Sequence, residues 1–406
     1  MHRSADFAGF GDWTFLNCAY HGPMPRVAEE ALAAAVELRR NPSLIRPEYH
    51  FAFPDAYRRA IGALIGAAPD TISVVDSATA GTMVLVNGLD WRDGDEVVIA
   101  SGEFPSNRLP WLSLAGRGVS LREVDPGMGS DREARIVDAL SPRTRVLHAS
   151  WVSFTDGRRL DLAPLAAACR ARDVLFVVDG SQGIGGLPFD MADAGCDVLT
   201  GAGYKWLLGP YGLGYVVIRP ELAERLTPGN VNWFATRKSE DFNRLADLPL
   251  APRPGAMRFD MNETANFFNV AAGTAAARYI AEVTPAAIEA HAQALLDRLI
   301  AGLPAGWTPL AADAPLRSNI LCVRGPDDET TARALAHLRA RRVAVSSREG
   351  ALRISPHVYN ATADIDRLLE ALGTSRTGGS TESPPADDAV HATLQPLLGL
   401  TEHRPG

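Results

Sequence analysis

The sequence predicts an α/β fold with a mainly parallel central sheet flanked by helices in a large domain, followed by a smaller α+β domain. Over the first two thirds of the chain, short apolar runs rich in valine, isoleucine or leucine alternate with helical patterns. This alternation is typical of a parallel sheet that helices cover on both faces. Beyond about residue 273 the pattern changes to longer helices separated by isolated short strands. With 406 residues, the chain is long enough for two domains.

The individual elements are predicted from the spacing of their apolar residues. In the large domain, strands are predicted at residues 71–75, 96–100, 119–124, 146–150, 174–179 and 212–218. Helices are predicted there at residues 28–40, 80–89, 132–140 and 163–172. In the smaller unit, helices are predicted at residues 286–303, 330–339 and 363–372, and strands at 319–323, 343–346 and 352–354.

The change of pattern also sets the expected domain boundaries. We expect residues 17–273 to form the large domain, and residues 1–16 together with 274–373 to form the small one. The stretch from about 375 to 388 is rich in serine, threonine, glycine and proline, a composition typical of segments that cannot bury a core. Residues 374–406 are therefore predicted to be a disordered or loosely docked tail, in which the weakly apolar residues 389–400 could dock as a short helix.

The composition limits the classes of partner. A hydrophobic content of 46% is ordinary for a soluble globular protein, and the net charge of −8 argues against nucleic acid. No apolar run approaches the ~20 residues that cross a bilayer, and the N-terminus lacks a signal-peptide pattern. Four scattered cysteines show neither disulfide nor metal-ligand spacing, and no histidines pair at ligand spacing. We therefore expect a cytoplasmic protein without a metal, membrane or nucleic-acid partner.

One lysine lies in a segment suited to covalent catalysis. Lys205 sits among glycines and aromatic residues, after a predicted strand that ends at Asp179 and continues as Gly-Ser-Gln182. A covalently held pyridoxal phosphate needs an amine to form an imine with its aldehyde, and a carboxylate to keep its pyridine nitrogen protonated. A neutral donor should also contact its phenolate oxygen. Lys205, Asp179 and Gln182 are predicted to fill these three roles, so the chain is predicted to be an enzyme acting on an amino group.

A phosphate group would be bound at the start of a helix, where free N–H groups and the helix dipole favour an anion. The turn Ser77-Ala-Thr79 lies between a predicted strand and a predicted helix and offers small and hydroxyl-bearing residues. Thr79 and the N–H groups near Ala78 are our main candidates, with Ser77 beside them. Tyr204 could donate its hydroxyl to the same phosphate. Small residues at such a turn also serve as ordinary helix caps, so this motif is not specific by itself.

Further candidates follow from their position on predicted strands. Phe104 follows a strand end, where parallel sheets bind their ligands, and could stack on the pyridine ring. Arg353 lies in an otherwise apolar strand and could clamp a substrate α-carboxylate. The alternative is that Arg353 pairs with a structural carboxylate. Tyr20, His21 and Phe154 are further candidates for substrate binding.

Together these residues resemble the class V aminotransferase family of fold-type I pyridoxal phosphate enzymes, which includes cysteine desulfurases, selenocysteine lyases, kynureninases and isopenicillin N epimerase-like proteins. The resemblance covers residues 17–372. It implies that Val178-Asp-Gly-Ser-Gln182 binds the pyridinium and that Tyr204-Lys205 is the Schiff-base site. It also implies a phosphate turn at Ser77-Ala-Thr79, a ring-stacking Phe104 and a carboxylate clamp at Arg353.

The same resemblance implies a homodimer with composite active sites. Arg258-Phe-Asp-Met-Asn-Glu-Thr264 is similar to the loop that, in this family's dimers, reaches the phosphate of the neighbouring subunit. Either Asn262 or Thr264 would make that contact. Trp233 is similarly placed to a tryptophan that enters the partner's site in kynureninases.

Departures from the family's pattern narrow the expected reaction. Cysteine desulfurases carry a nucleophilic cysteine shortly before the carboxylate arginine, whereas Ser346-Ser-Arg-Glu-Gly-Ala-Leu-Arg353 has none. Persulfide formation is therefore not expected. Phe104 and Phe154 replace the histidine and asparagine of desulfurases, which favours the kynureninase-like side. Gln182 replaces a histidine that is usual in the epimerases.

These features lead us to expect a lyase that cleaves a β-substituent, such as a C–S bond, from a small-molecule α-amino acid. A pyridoxal phosphate-dependent aminotransferase or epimerase is the alternative. A pyridoxal phosphate-binding scaffold without turnover is a more remote one.

Overall fold

The computed structural model describes residues 1–312 and 316–374 of the chain. Its strands are β1 (Thr14–Phe15), β2 (Ile72–Val75), β3 (Glu96–Ala100), β4 (Ser120–Val124), β5 (Thr144–Ser150), β6 (Leu175–Asp179), β7 (Val198–Ala202), β8 (Gly214–Ile218), β9 (Thr308–Leu310), β10 (Leu321–Arg324), β11 (Val343–Ala344), β12 (Ser346–Arg348) and β13 (Ala351–Ile354). Its α-helices are α1 (Arg26–Arg40), α2 (Tyr49–Ile65), α3 (Ala78–Gly88), α4 (Pro105–Leu112), α5 (Arg132–Asp138), α6 (Leu162–Ala171), α7 (Met191–Ala194), α8 (Pro220–Arg225), α9 (Phe267–Val283), α10 (Pro285–Gly302), α11 (Asp328–Ala340) and α12 (Thr362–Thr374).

The central sheet has seven strands in the order β2-β8-β7-β6-β5-β3-β4. The pairs from β7 to β4 are parallel, whereas β8 runs antiparallel to both β7 and β2. This architecture confirms the predicted α/β fold and its mainly parallel sheet. In the sheet register, Asp179 lies opposite both Ser150 and Thr200, so β5, β6 and β7 reach the same edge together. Side chains at the carboxyl ends of these three strands therefore meet.

The sequence analysis missed eight elements of the structure: strands β1, β7 and β9, and helices α2, α4, α7, α8 and α9. Strand β7 lies between β6 and β8, but only its first two residues are large and apolar. Helix α2 contains Pro54 within its length. Glycine and proline weaken the local signal for a strand and for a helix, respectively, and neighbouring elements supply the missing stabilisation. In addition, the predicted strand at 343–346 is divided into β11 and β12.

A second, antiparallel sheet has the order β12-β13-β10-β9, and β1 pairs in parallel with β11. A separate apolar core on this side joins Leu16 to residues of α10, α11 and α12. The first residues of the chain are thus bound to its last elements. We propose on this basis that residues 17–273 form a large domain, and that residues 1–16 with 274–373 form a small one. Residues 375–406, including the stretch 389–400, lie outside the described residues.

The edge strand β2 is anchored by a buried ion pair between Arg58 on α2 and Asp260, each of which is 1% exposed. The second oxygen of Asp260 accepts hydrogen bonds from Ser73 Oγ at 3.2 Å and from Val74 N at 2.9 Å. Met261 N then donates to Val74 O at 3.1 Å. These bonds hold the irregular segment around residue 260 against the sheet.

Among the helices that the structure describes, none is long and apolar enough to cross a membrane.

Candidate active site

A cavity of about 420 Å³ opens where β5, β6 and β7 end. Nine of the predicted site residues line it: Ser77, Ala78, Thr79, Phe104, Phe154, Asp179, Gln182, Tyr204 and Lys205. Eight further lining residues were not predicted: Asp76, Ser106, Ser150, Val152, Ser181, Ala202, Tyr211 and Gly212. Ser150 could have been found as the last residue of a predicted strand, because parallel sheets bind ligands at that edge.

Lys205 is buried at the base of this cavity, with Nζ 5.5 Å from the ring centroid of Phe104 and 5.7 Å from that of Tyr204. Burial lowers the pKa of Lys205 to about 8, because the charged amine loses its hydration. The carboxylate of Asp179 opposes this shift, and the guanidinium of Arg353 adds to it. The amine is therefore neutral far more often near pH 7 than an exposed lysine would be.

The chain contains two lysines, Lys205 and Lys238. Lys238 is exposed, and it does not line the cavity. Lys205 is thus the lysine that can bind a cofactor covalently in this cavity.

The N-terminal segment fixes the backbone of the lysine loop. Gly22 N donates to Tyr204 O at 2.8 Å, and Leu208 N donates to Lys205 O at 3.1 Å. A Cβ atom at Gly22 would lie 2.1 Å from Lys205 O, a distance too short for two non-bonded atoms. Glycine is therefore required at residue 22 by the close approach of the two backbones.

Asp179 is buried and held by hydrogen bonds to both carboxylate oxygens. Asn107 Nδ2 donates to Oδ2 at 2.9 Å, and Ser181 N donates to Oδ1 at 2.8 Å. Each oxygen keeps a lone pair that a protonated ring nitrogen could use. The contact of Asn107 with Asp179 was not predicted from the sequence.

The amide of Gln182 is largely committed to the protein. Its Nε2 donates to Ala19 O at 3.0 Å, and its Oε1 accepts from Trp206 Nε1 at 3.1 Å. One amide hydrogen of Gln182 remains for a group in the cavity.

The turn Ser77-Ala-Thr79 lies at the start of α3, between β2 and the helix. Ser77 is the N-cap, and its Oγ accepts from Ala80 N at 3.2 Å while donating to Asp76 Oδ1 at 2.6 Å. Thr79 Oγ1 donates to Ser106 Oγ at 2.8 Å. The first N–H groups of a helix have no intrahelical partner, so those of Ala78 and Thr79 are suited to an anion. The hydroxyl hydrogen of Ser77 is thus bonded to the Asp76 carboxylate, which also lines this end of the cavity.

Arg353 is 1% exposed and lies behind the cavity wall. Its Nε donates to Ser346 Oγ at 3.1 Å, and its Nη1 donates to the carbonyl oxygen of Phe154 at 2.9 Å. Within residues 1–312 and 316–374, the guanidinium has no carboxylate partner, so the alternative of a structural ion pair is not found. Burial lowers the pKa of Arg353 to about 10, and the nearby Arg348 adds to this effect. An acidic ligand would relieve both costs.

Tyr20 and His21 flank the cavity without lining it. The His21 ring lies 4.7 Å from that of Tyr204 and 5.6 Å from that of Tyr211, between ring centroids. Burial, and then the charge of Lys205, lower the pKa of His21. Tyr20 is 55% exposed and contacts His21 from outside.

The three residues predicted to act on a neighbouring subunit do not reach this cavity. Trp233 packs in an aromatic cluster with Phe51 and Phe234. Asn262 is exposed, whereas Thr264 is buried and its hydroxyl donates to Met261 O.

All four cysteines, Cys18, Cys169, Cys196 and Cys322, are unpaired and buried. Burial raises the pKa of each thiol to about 12. No cysteine is among the residues described as lining the cavity.

Comparisons with known proteins agree with this geometry. The chain belongs to the aminotransferase class-V family, whose sequence model matches residues 50–368. It is 31% identical over 381 residues to isopenicillin N epimerase of Streptomyces clavuligerus, a match that covers 88% of this chain and 93% of that protein. It is 26% identical over 340 residues to a probable cysteine desulfurase of Methanothermobacter thermautotrophicus, covering 78% and 82% of the two chains.

Solved structures of C-DES share the fold. One is a mutant with glycine covalently linked to the PLP cofactor, with a TM-score of 0.82, 25% identity, and coverage of 92% of this chain and 99% of that chain. Another is described as a complex between the cystine C-S lyase C-DES and its product cysteine persulfide, with the same TM-score and identity and with coverage of 93% and 100%.

Family, fold and cavity together confirm three predictions: a class V protein, a fold-type I architecture, and pyridoxal 5'-phosphate as the cofactor. The residues in the cavity fit this cofactor, because a buried amine, a hydrogen-bonded carboxylate and a helix N-terminus surround one space. An epimerase is among the relatives although Gln182 replaces the usual histidine of that group, so this position does not separate the chain from epimerases.

Proposed function

We propose that the protein is a pyridoxal phosphate-dependent lyase that removes a β-substituent, such as a thiol group, from an α-amino acid. The observation that carries this proposal is the buried guanidinium of Arg353, which has no acidic partner in the described chain and donates to the carbonyl oxygen of Phe154, a residue that lines the Lys205 cavity. A free amino acid supplies the carboxylate that this guanidinium lacks. The similarity to a cystine C-S lyase over nearly the whole chain supports the choice of reaction.

The roles proposed for the residues follow from their positions. Arg353 binds the substrate carboxylate and so fixes which bond at the α-carbon is aligned for cleavage. The amine of Lys205 removes the α-proton, for which a pKa of about 8 is well suited. The bound cofactor supplies an electron sink for the bond that breaks, and Asp179 keeps its ring nitrogen protonated.

The remaining cavity residues bind the cofactor in this proposal. Ser77, Ala78 and Thr79 hold the phosphate with the N–H groups of the α3 N-terminus, and Tyr204 contributes its hydroxyl. The ring of Phe104 stacks on the pyridine, and the spare amide hydrogen of Gln182 contacts the phenolate oxygen.

Tyr20, His21 and Phe154 shape the entrance through which the substrate side chain passes. This role is supported for Tyr20 and His21 by their ring contacts, which extend the aromatic wall formed by Tyr204 and Tyr211. The ring of Phe154 lies 5.3 Å from that of Phe104, between centroids, and so closes the opposite wall.

A second candidate function is epimerisation, which the 31% identity to isopenicillin N epimerase favours. In that case a group other than Lys205 returns the proton to the opposite face of the α-carbon. His21 is placed at the cavity mouth for this step, in which its imidazolium form would donate the proton and become neutral; burial lowers its pKa and so makes that form a stronger acid. Transamination is the remaining alternative within the family. Persulfide formation on a cysteine of this chain is not proposed, because every thiol is buried and protonated.

We further propose a cytoplasmic homodimer. The exposed Asn262 can reach a neighbouring subunit, whereas the buried hydroxyl of Thr264 is already bonded, so Asn262 is the better candidate for a phosphate contact in trans. Trp233 would have to leave its aromatic cluster to enter the partner's site. The four unpaired cysteines support a reducing compartment.

One experiment separates the reactions. The purified, cofactor-loaded protein is incubated with a panel of amino acids, including cystine, with and without an α-keto acid. Release of keto acid and ammonia without an acceptor supports the lyase, whereas turnover that requires the acceptor replaces it with a transaminase. A change of chirality without release identifies an epimerase, and spectral change without product identifies a binding protein.

Lysine variants provide the controls for this experiment. Lys205→Ala should abolish both the covalent absorption band and all turnover. Lys238→Ala removes the other lysine of the chain, at an exposed position, and should retain both. Retention of a covalent band in Lys205→Ala would contradict the assignment of the lysine.

A further inference from the structure

We propose that Asn107 is a positioning residue, which holds the Asp179 carboxylate ionised and in place by separating it from the carboxyl group of Glu103. The proposal rests on the role of Asp179 at the cofactor ring nitrogen. It assigns a function to a buried amide that does not touch the amino-acid substrate.

The geometry places one donor group between three acceptors. Asn107 lies in the first turn of α4 and is 0% exposed. Its Nδ2 is 2.9 Å from Asp179 Oδ2, 3.0 Å from Glu103 Oε2 and 3.1 Å from Ser150 Oγ. The amide nitrogen carries two hydrogens, so one can be directed to each carboxylate while the serine oxygen shares the second.

The orientation of this amide is determined by charge. Asn107 Oδ1 is buried and has no hydrogen-bond partner within the described part of the chain. If the amide were rotated by half a turn, Oδ1 would face the carboxyl groups of Asp179 and Glu103, and two acceptors would then face a third. The protein thus leaves a buried acceptor unpaired in order to direct both amide hydrogens at Asp179 and Glu103, which is an unfavourable arrangement unless those contacts are needed.

Glu103 needs such a partner. It accepts a hydrogen bond from Ser150 N at 2.8 Å and another from Ser150 Oγ. Burial raises the pKa of Glu103, and the negative charge of Asp179 raises it further, whereas the bonds from Ser150 and Asn107 lower it. Two carboxylates that share a site without a donor between them hold a proton at higher pH than either would alone.

The other titratable groups that face Asp179 bring one positive charge. His148 on β5 is neutral above about pH 4, because burial lowers its pKa to about 4. Tyr204 and Tyr215 are neutral, because burial raises the pKa of each. Lys205 can be cationic, but it is the group that becomes bonded to the cofactor. The hydrogen bonds of the amide and of the backbone are therefore the main support for an ionised Asp179.

The sign of the expected pH dependence follows from this arrangement. The bond from Asn107 lowers the pKa of Glu103, so without the amide the pair of Glu103 and Asp179 holds a shared proton at higher pH, and the ring nitrogen then competes with that proton for Asp179. The deficit in cofactor affinity should therefore grow as pH falls and diminish as pH rises. An aspartate at residue 107 should show the opposite slope, because it can donate only when protonated and adds a third negative charge at high pH.

The test measures the dissociation constant of pyridoxal phosphate, relative to the natural protein at each pH, from about pH 5 to about pH 9. Asn107→Ala should weaken binding roughly 10- to 100-fold at the acidic end, the range expected for one hydrogen bond to a charged group. Asn107→Asp, which keeps the size of the side chain, should weaken it most at the alkaline end. Adding Glu103→Gln to Asn107→Ala should restore part of the affinity, since the competing charge is removed.

Three outcomes would overturn the proposal: a deficit that does not depend on pH, equal slopes for the two variants, or no recovery in the double variant. Thermal melting of each variant without cofactor identifies any that fails to fold, and Asn107→Asp then carries the test. A separate variant, Asp179→Asn, tests the assumption that Asp179 contacts the ring nitrogen of the cofactor. If that variant binds the cofactor as tightly as the natural protein, the role of Asp179 is wrong, whereas normal binding by Asn107→Ala with loss in Asp179→Asn refutes the role of Asn107 alone.

Discussion

Lys205 should capture pyridoxal phosphate at neutral pH far faster than an ordinary lysine does. Its burial lowers the pKa of the amine from 10.5 to about 8, a difference of about 3 kcal/mol between the two protonation states. At pH 7 this corresponds to roughly 9% neutral amine, compared with roughly 0.03% for an unperturbed lysine, or about 300-fold more of the reactive form. Only the neutral amine attacks the aldehyde, so the rate should rise with pH and become constant above about pH 8.

The assay mixes cofactor-free protein with pyridoxal phosphate and follows the absorption band of the covalent product against pH. The same measurement on an N-acetyl-lysine amide separates the titration of the cofactor itself from that of the protein. Lys238→Ala should behave as the natural protein does, because Lys238 is exposed and remote from the cavity.

Two variants should shift the midpoint in opposite directions. Arg353→Met removes a positive charge that lowers the pKa of Lys205, so its midpoint should lie above that of the natural protein. Asp179→Asn removes a negative charge that raises this pKa, so its midpoint should lie below. A midpoint near that of free lysine, or shifts of the same sign in both variants, would refute the reasoning.

Three further predictions concern substrate binding and stability. Arg353→Ala should weaken amino-acid binding by ~2–5 kcal/mol, measured as an increase in KM or Kd, because a buried charge pair is lost; unchanged affinity would place the clamp elsewhere. Asp260→Ala should lower the free energy of unfolding by ~3–5 kcal/mol in denaturant titration, because it removes the buried carboxylate partner of Arg58 and the acceptor for Ser73 Oγ and Val74 N, and leaves Arg58 only its ion pair with the half-exposed Asp55. The exposed pair broken by Asp366→Ala should cost less than ~1 kcal/mol. Equal effects in these two variants would contradict the role of burial. Gly22→Ala should slow cofactor capture and destabilise the protein by ~1–3 kcal/mol, since the alanine Cβ would lie 2.1 Å from Lys205 O. Normal capture and stability in this variant would show that the N-terminal segment around residue 22 can move aside.

Much of the fold could be predicted from local patterns. The parallel strands β3, β5 and β6 each contain a short apolar run, and the structure places them within two residues of the predicted bounds. Strand β7 escaped prediction because its glycine and alanine residues carry no local signal, although its neighbours β6 and β8 bury it on both sides. Burial of this kind depends on residues distant in sequence.

In the candidate site, too, some residues could be predicted from local sequence, whereas others depend on contacts made in the folded chain. Lys205, Asp179 and the turn at Ser77 were predictable because their chemistry and their places after strands are properties of the local sequence. Their assembly around one cavity was an expectation, and the structure brings them together. The segment around Asn262 illustrates the opposite case, because its position against β2 depends on the buried pair of Arg58 and Asp260.

The sequence by itself determined the class of fold and the cofactor, and it predicted which lysine is reactive, because these depend on residue type and on the order of strands and turns. The tertiary structure decided what surrounds those groups. It lowered the pKa of Lys205 by burial, left Arg353 without an acidic partner in the described chain, and placed Asn107 between two carboxyl groups. Charge, hydration and hydrogen bonding at a buried atom are set by neighbours from distant parts of the chain, and these neighbours are known only when the chain has folded.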